Sequence, residues 1–302
     1  MEFCVQVTLN SVISAFIYAL IALGFVLIYR TVKCFHLAHG GTYTVGAYAA
    51  YSLYMFIYNI GNMPVIFNLI IATVFGMIVA GFIGVLIDKL VYLPLRKRFA
   101  SDLILLLASF GVLVFIQNLI QLIYGAQILT MRTWPVKEGH KFLGAVITDV
   151  QIIIIIVSLI VMMFLWLFIK YTKFGKAIRA VSDDPISASV VGINPQMVIS
   201  MVFFIGSAVA GLAGVLISLE TNIEPTMGFN AILKGIIAAI IGGIGSFPGA
   251  VLGALLLGFA ENFSIWYIPA GWKDTIAFII LILFLLLRPN GILGTKIEVE
   301  ED

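Results

Sequence analysis

The chain has 302 residues, of which 62% are hydrophobic and 11% charged, and its formal net charge is +2. Soluble domains carry roughly a quarter of their residues as charges, so ordinary globular domains are excluded, and no basic block is dense enough for nucleic acid. Four windows, 3–29, 40–87, 103–131 and 150–169, hold no Asp, Glu, Lys, Arg or His, whereas about 20 apolar residues suffice to cross ~30 Å of hydrocarbon.

The first predicted helix spans 5–29. It lacks a basic start, Glu2 being the only early charge, and its apolar run is too long for a cleaved signal segment; it reads as a retained membrane helix. Helices at 40–59 and 64–87 follow, separated by the turn residues Asn59, Gly61, Asn62 and Pro64. Cys4 and Cys34 stand about one crossing apart, too far for a disulfide, which predicts two free thiols. His36 and His39 are three residues apart with no third ligand nearby; polar capping of a helix start is the expectation, and no metal is expected. A helix at 103–124 leads into the longest external loop, 125–149, which carries Arg132, Trp134, Lys137, Glu138 and Lys141. The next helix is 150–169.

The segment 171–195 is polar and patterned. Gly175 can open a turn, and Lys176 and Arg179 share a helical face. Asp184 followed by Pro185 reads as a helix start, preceded by Asp183, and Gly192 with Asn194 can end that helix. Two short helices lying across the membrane face are expected, either as a solvated connector or as a docking element for a partner.

After a helix at 197–219 comes a Gly-rich stretch, 229–262, with its turn at 242–249, and then a last helix at 274–287. The spacings Gly206/Ala210/Gly214 and Gly249/Gly253 permit close helix approach in lipid. Gly242, Gly243, Gly245 and Pro248 cluster too densely for a packing face alone, so a flexible or unwound turn near a translocation path is set against a plain tight hairpin. Lys234 and Glu261 lie on the two arms. They could pair, or snorkel to the outer interface; snorkelling is the expectation for Glu261, and Lys234 is left open between the two.

Backbone groups in lipid must bond within their own segment, and alternating ten-residue strands of a β-barrel are not seen. The fold class expected is therefore all-α: one polytopic transmembrane domain over 1–302, with about eight membrane segments, one of them the broken or re-entrant hairpin. Lys and Arg set the orientation. Lys234 apart, the chain's 17 basic residues divide into twelve on one set of connections and four (Arg132, Lys137, Lys141, Lys273) on the other. The N-terminus is placed outside and the C-terminus inside. The hairpin must then leave and return to the outer side, as a re-entrant element or as two full crossings.

Three motifs make the chain similar to a known family. They are residues 38–48 (AHGGTYTVGAY), 238–254 (AAIIGGIGSFPGAVLGA) and 287–294 (LRPNGILG). With the 171–194 loop, they resemble the LivH-type permeases of branched-chain amino acid ABC importers, in the right order along nearly the whole chain. The family usually has Asn where this chain has His36, and often Glu where it has Gly41. The resemblance implies a bacterial cytoplasmic-membrane importer with two ABC ATPase subunits, a second permease of LivM type and an extracytoplasmic substrate-binding protein. It implies branched-chain or related apolar amino acids as substrate, relatives for urea and short amides sharing the signatures. ATP and Mg would be bound by the partners and no cofactor by this chain, which has no G-x-x-x-x-G-K-[ST] loop and is expected to be no enzyme. Gly175, Lys176, Arg179, Asp183, Asp184, Pro185 and Gly192 become coupling candidates. His39, Gly40, Lys234, Gly242, Gly243, Gly245 and Pro248 become translocation-path candidates. Arg132, Lys137, Lys141, Glu220 and Glu224 are docking candidates for the binding protein, by charge and place. An ion-coupled secondary transporter would need more intramembrane charge than this chain offers. An intramembrane protease would need paired Asp residues at depth, and Asp88, Asp102, Asp183 and Asp184 all map to inner loops.

Overall fold

The computed structural model describes residues 2–61, 63–134, 139–142 and 144–294. In chain order the helices are α1 (Glu2–Val32), α2 (His39–Ile60), α3 (Val65–Ile87), α4 (Leu93–Lys97), α5 (Asp102–Tyr124), α6 (Asp149–Tyr171), α7 (Lys173–Asp183), α8 (Pro185–Val190), α9 (Pro195–Glu220), α10 (Met227–Gly242), α11 (Phe247–Ser264) and α12 (Lys273–Leu287). A π-helical turn, Asp88–Tyr92, joins α3 to α4 without a break. The loop before α6 forms a small antiparallel hairpin, β1 (His140–Phe142) and β2 (Ala145–Ile147), which the sequence did not announce. Gln6 holds it to α1, donating to the Val146 carbonyl (3.1 Å) and accepting from its N–H (2.8 Å).

Among the described residues, seven helices are long and apolar enough to cross a membrane. To these the bundle adds α2, which is 22 residues long but rich in Tyr and Gly, and α10, which has 16 residues. The protein is a multi-pass helical membrane protein. Its centre is α1 and α9: 78% and 83% of the residues in their most apolar stretches are buried, against 28% for α5 and α6. The outer helices turn their apolar surfaces outward, as spans facing lipid or another subunit do.

Small residues set the spacing of the centre. Lipid is as apolar as leucine, so helices associate through close packing. A Cβ placed on Gly24 of α1 would stand 2.7 Å from the Gly206 carbonyl of α9 and 2.8 Å from His39 Nε2 of α2. One on Gly46 of α2 would strike the Gly211 backbone of α9, and one on Gly84 of α3 would lie 2.8 Å from the Phe203 carbonyl. Gly206 and Gly214 of α9 face Ile28 of α1 and Tyr43 of α2, and Gly249 and Gly253 of α11 face Gly242 and Ala238 of α10.

The Gly-rich stretch is a hairpin of two regular helices. α10 is helical through Gly242, and α11 starts at Phe247, capped by Ser246, which accepts from Gly249 N at 3.2 Å. Gly243 (φ +106°) and Gly245 (φ +93°) supply the left-handed backbone of the turn. The segment after α12 docks on it: Ile292 N donates to the Ile241 carbonyl and Leu293 N to the Gly242 carbonyl, both at 2.9 Å. Gly243 must be small because the Asn290 carbonyl and the Gly294 backbone lie against it. The unwound stretch entertained from the sequence is thus a closed turn, level with the end of α12. Gly242, Gly243, Gly245 and Pro248 sit there.

Gly46→Ala should therefore push α2 from α9 and lower stability by about 1–3 kcal/mol, the usual cost of overpacking. Gly111→Ala on α5, where nothing lies within 4 Å, should cost nothing. Thermal unfolding of the two variants in detergent checks this; equal midpoints would contradict the packing.

Candidate functional site

The connections carrying most of the basic residues lie at one end of the bundle, and α7 and α8 lie there as well. Thr172 caps α7, accepting from Gly175 N at 2.9 Å. Gly175 is buried against the Ile169 carbonyl, and the Arg179 guanidinium donates to that same carbonyl. Arg179 thus clasps the end of α6 and does not face solvent with Lys176. Ile178, Val181 and Ala188 are buried beneath the pair of helices. Asp184 caps α8, accepting from Ile186 N at 2.8 Å and from the Ser187 hydroxyl at 2.5 Å. The Ser187 hydroxyl first, and then the Ile186 N–H, hold the Asp184 carboxyl below its ordinary range. Gly192, with φ +86°, ends α8, but Asn194 belongs to the next helix, capping α9 through Met197 N at 3.2 Å. What this foot offers outward is Lys176, Asp183, Pro185 and three bare apolar side chains, Ile186, Val190 and Val191, exposed to 77%, 82% and 74%.

Beside it lies a buried carboxylate. Asp88, assigned from the sequence to an inner loop, is fully buried at the start of the π turn. Arg96 pairs with it, and Gln196 (3.1 Å) and Ser200 (3.2 Å) of α9 donate to it. A buried charge needs such partners. Together they pin the α3–α4 elbow to the first turns of α9.

His36 and His39 do not cap α2. Both are buried; His36 Nδ1 lies 2.8 Å from the Tyr92 hydroxyl. Ala38 N donates to Ser109 at 2.9 Å. His39 is wedged between Gly24 and the rest of the α1–α9 contact, and Gly40 is packed on Gly228 and Ile232 of α10. These two path candidates line closed helix contacts.

Lys234 and Glu261 do come together. Lys234 Nζ stands 3.2 Å from Glu261 Oε2, 3.2 Å from the Tyr18 hydroxyl and 3.1 Å from Asp274 Oδ1. Tyr18 also donates to Glu261 at 2.7 Å. The Glu261 side chain is only 1% exposed, so it does not snorkel. Its carboxylate is held by a cation and a phenol, which replaces the water it would otherwise need. Next to it, Lys273 donates to Asn262 at 3.2 Å. The group joins α1, α10, α11 and α12. Tyr18 and Asp274 were missed: a lone Tyr in an apolar run carries no signal, and Asp274 reads as an ordinary first-turn acid.

At the end opposite the basic one, Arg132 Nε donates to the Leu219 carbonyl at 3.0 Å, closing the last turn of α9. Glu220 accepts from Gln151 at 2.8 Å, and Gln151 also completes a capping box with Thr148 on α6. Leu129 and Ile223 form a β-bridge between the two connections. Arg132 and Glu220 are thus engaged in hydrogen bonds within the fold, Arg132 being exposed all the same, and Lys141 and Glu224 are exposed as well. Lys137 lies outside the described residues.

The family model for the permease component of the branched-chain amino acid transport system matches residues 7–285. The high-affinity branched-chain amino acid transport system permease protein LivH of Escherichia coli K12 is 36% identical over 311 residues, covering 98% of this chain and 97% of the relative. The corresponding BraD of Pseudomonas aeruginosa is 38% identical, covering 94% and 93%. Among solved structures, PsaBC from Streptococcus pneumoniae in complex with Fab superposes with a TM-score of 0.51 and 14% identity, covering 93% of this chain and 91% of that one; this likeness concerns the fold alone.

Removing one member of a buried ion pair leaves an uncompensated charge and costs about 3–5 kcal/mol, while replacing both partners costs far less. Lys234→Met should therefore destabilise strongly, and adding Glu261→Gln should recover most of the loss. A double variant no more stable than the single one in a denaturation series would show that the pair is not coupled.

Proposed function

The chain belongs to the permease-component family of branched-chain amino acid transport systems, and from that membership we propose that it is one membrane half of an ATP-driven importer of branched-chain amino acids in the bacterial cytoplasmic membrane. The second half would be a related permease, the ATP and Mg would be bound by two ATPase subunits, and an extracytoplasmic binding protein would deliver the substrate. The basic end is the cytoplasmic one in this reading, by the charge bias. The sequence similarity over almost the entire length of the relatives supports the identity of the system.

The observation that carries the mechanism is the foot. Two large apolar side chains, Ile186 and Val190, stand bare on the six-residue helix α8, and a third, Val191, directly after it, at the membrane's polar face. Isolated exposed apolar residues are common, but here three fall within six residues, on a helix whose start is fixed by the Asp184 cap and beside α7, which Arg179 ties to α6. Such a patch suits a groove on another protein. In the proposed importer it is where the ATPase subunits push, and alternating access follows from their ATP-driven closure. Roles divide within the loop: Ile186, Val190, Val191, Lys176 and Asp183 make contact, whereas Gly175, Arg179, Asp184, Pro185 and Gly192 hold the foot's shape. On the opposite face, Lys141 and Glu224 are free to meet the binding protein.

Substituting Asp for both Ile186 and Val190 should weaken ATPase docking by at least about tenfold, the cost of losing an anchoring apolar contact, and abolish stimulation of ATP hydrolysis by loaded binding protein. The helices themselves should remain folded by circular dichroism. Full stimulation in this variant would refute the assigned contact. Titration calorimetry of the cognate binding protein against a panel of amino acids and urea tests the substrate: tight binding of Leu, Ile or Val is expected, and binding of urea alone would overturn it.

A further inference from the structure

A cavity of about 370 Å³ opens between α10 and α12. This is within the range of small-ligand sites, which combine apolar walls with a few convergent polar groups. Its apolar walls are Phe229, Leu233 and Ile237 of α10 and Phe278 of α12, and its two charges are Lys234 and Asp274. The two charges are not equivalent. Lys234 is anchored from the protein interior by Tyr18 and by Glu261, which is 1% exposed and neutralises it. Asp274 approaches from the open side, with its side chain 65% exposed. Lys234 thus keeps a fixed counter-charge even when Asp274 moves away. A charged groove is unfavourable against hydrocarbon, so this face belongs to water or protein. It lies at the end opposite the basic one, beside the start of α12.

We infer that this cavity is a site for an α-amino acid zwitterion with an apolar side chain. The ligand carboxylate takes the place of Asp274 on Lys234, the ligand ammonium rests on Asp274, and the aliphatic side chain lies among Phe229, Leu233, Ile237 and Phe278. Charges alternate along the line Lys234, carboxylate, ammonium, Asp274, so the ligand is inserted into an existing ion pair without changing the net charge. An uncharged amide finds no match for the pair, and a molecule bearing only one of the two charges leaves one side of it unmet. The inference rests on the transport reading, since it places the proposed substrate at the mouth through which an importer would receive it.

The test uses the whole transporter in lipid nanodiscs without binding protein, with Cys4→Ser and Leu233→Cys in this chain; Cys34 is buried. The rate at which a maleimide labels position 233 is measured. Leucine should slow labelling several-fold and in a saturable manner, whereas leucinamide and 4-methylpentanoate, which each carry one of the two charges, should not. Adding Lys234→Gln should abolish protection. Asp274→Asn should do the same; that side chain is 65% exposed, so unlike Lys234→Gln its change leaves no buried charge uncompensated. Labelling indifferent to leucine, or equal protection by leucinamide, would overturn the site. ATP-driven leucine uptake by the unsubstituted transporter with binding protein is measured in parallel. Uptake without protection removes this site and leaves the transport reading intact; no uptake of any amino acid removes both.

Discussion

The close approach of α9 to α1, α2 and α3 is the constraint on which the bundle depends. Where two apolar surfaces meet in lipid there is no hydrophobic gain, only dispersion and geometry. Gly24, Gly46, Gly84, Gly206 and Gly211 let backbones touch where a methyl group would not fit. With α1 and α9 locked together, everything else is arranged around them. α10 and α11 close on α1, α3 and α2 flank α9, and α5, α6 and α12 stand at the margin with most of their surface turned outward. A bundle so built is stiff at the centre and adjustable at the rim. That division would suit the proposed importer, in which outer helices meet other subunits and inner helices carry motion intact.

The helix pattern was legible in the sequence because lipid enforces it. Charge-free windows, Pro and Gly turns and the basic loops placed the helices within a few residues, including the two short helices at 171–195, except that the helix expected at 64–87 runs on to Lys97. The packing roles of Gly206, Gly214, Gly249 and Gly253 were legible for the same reason. What stayed hidden were long-range pairings. Nothing local joins Tyr18 to Glu261 across 243 positions, or Asp88 to Ser200 across 112. Glu261 was expected to snorkel because a lone acid near a helix end usually does, and the rule failed because a cation and a phenol from two other helices meet it inside. At the 242–249 turn the sequence left a flexible turn and a plain tight hairpin open, and the structure has the tight hairpin. The smallness of Gly243 answers a turn-forming segment, 290–294, that arrives from beyond α12, and only the folded chain brings it there.

Buried polar groups divide by purpose. Asp88 with Arg96, Gln196 and Ser200, and Arg179 with the Ile169 carbonyl, join elements at the basic end. Each removes a hinge that the bundle could otherwise use: the first between α3 and α9, the second between α6 and α7. The Lys234 group fastens four helices, α1, α10, α11 and α12, nearer the other end. These fasteners would make the protein move in blocks and not bend helix by helix, since breaking those at Asp88 or Glu261 strands a buried charge where no water compensates it.

α9 is the natural conductor between the two faces. It is 26 residues long, roughly 39 Å at 1.5 Å per residue, enough to run the full depth of the membrane. Its first turn is capped by Asn194 immediately beyond the foot, and α7 packs on it directly. Its last turn is closed by Arg132, and Glu220 at its end is tied to α6 through Gln151. In the proposed importer a push delivered to Ile186 and Val190 would therefore reach the opposite face through one continuous, capped and tightly packed rod. α7 also touches α1 and α6, so the push is shared among the helices that meet at the centre. In the proposed importer, then, the signal between ATPase and binding protein needs no flexible relay. The glycine contacts that hold α9 to α1 and α2 would then both stabilise the bundle and transmit its motion.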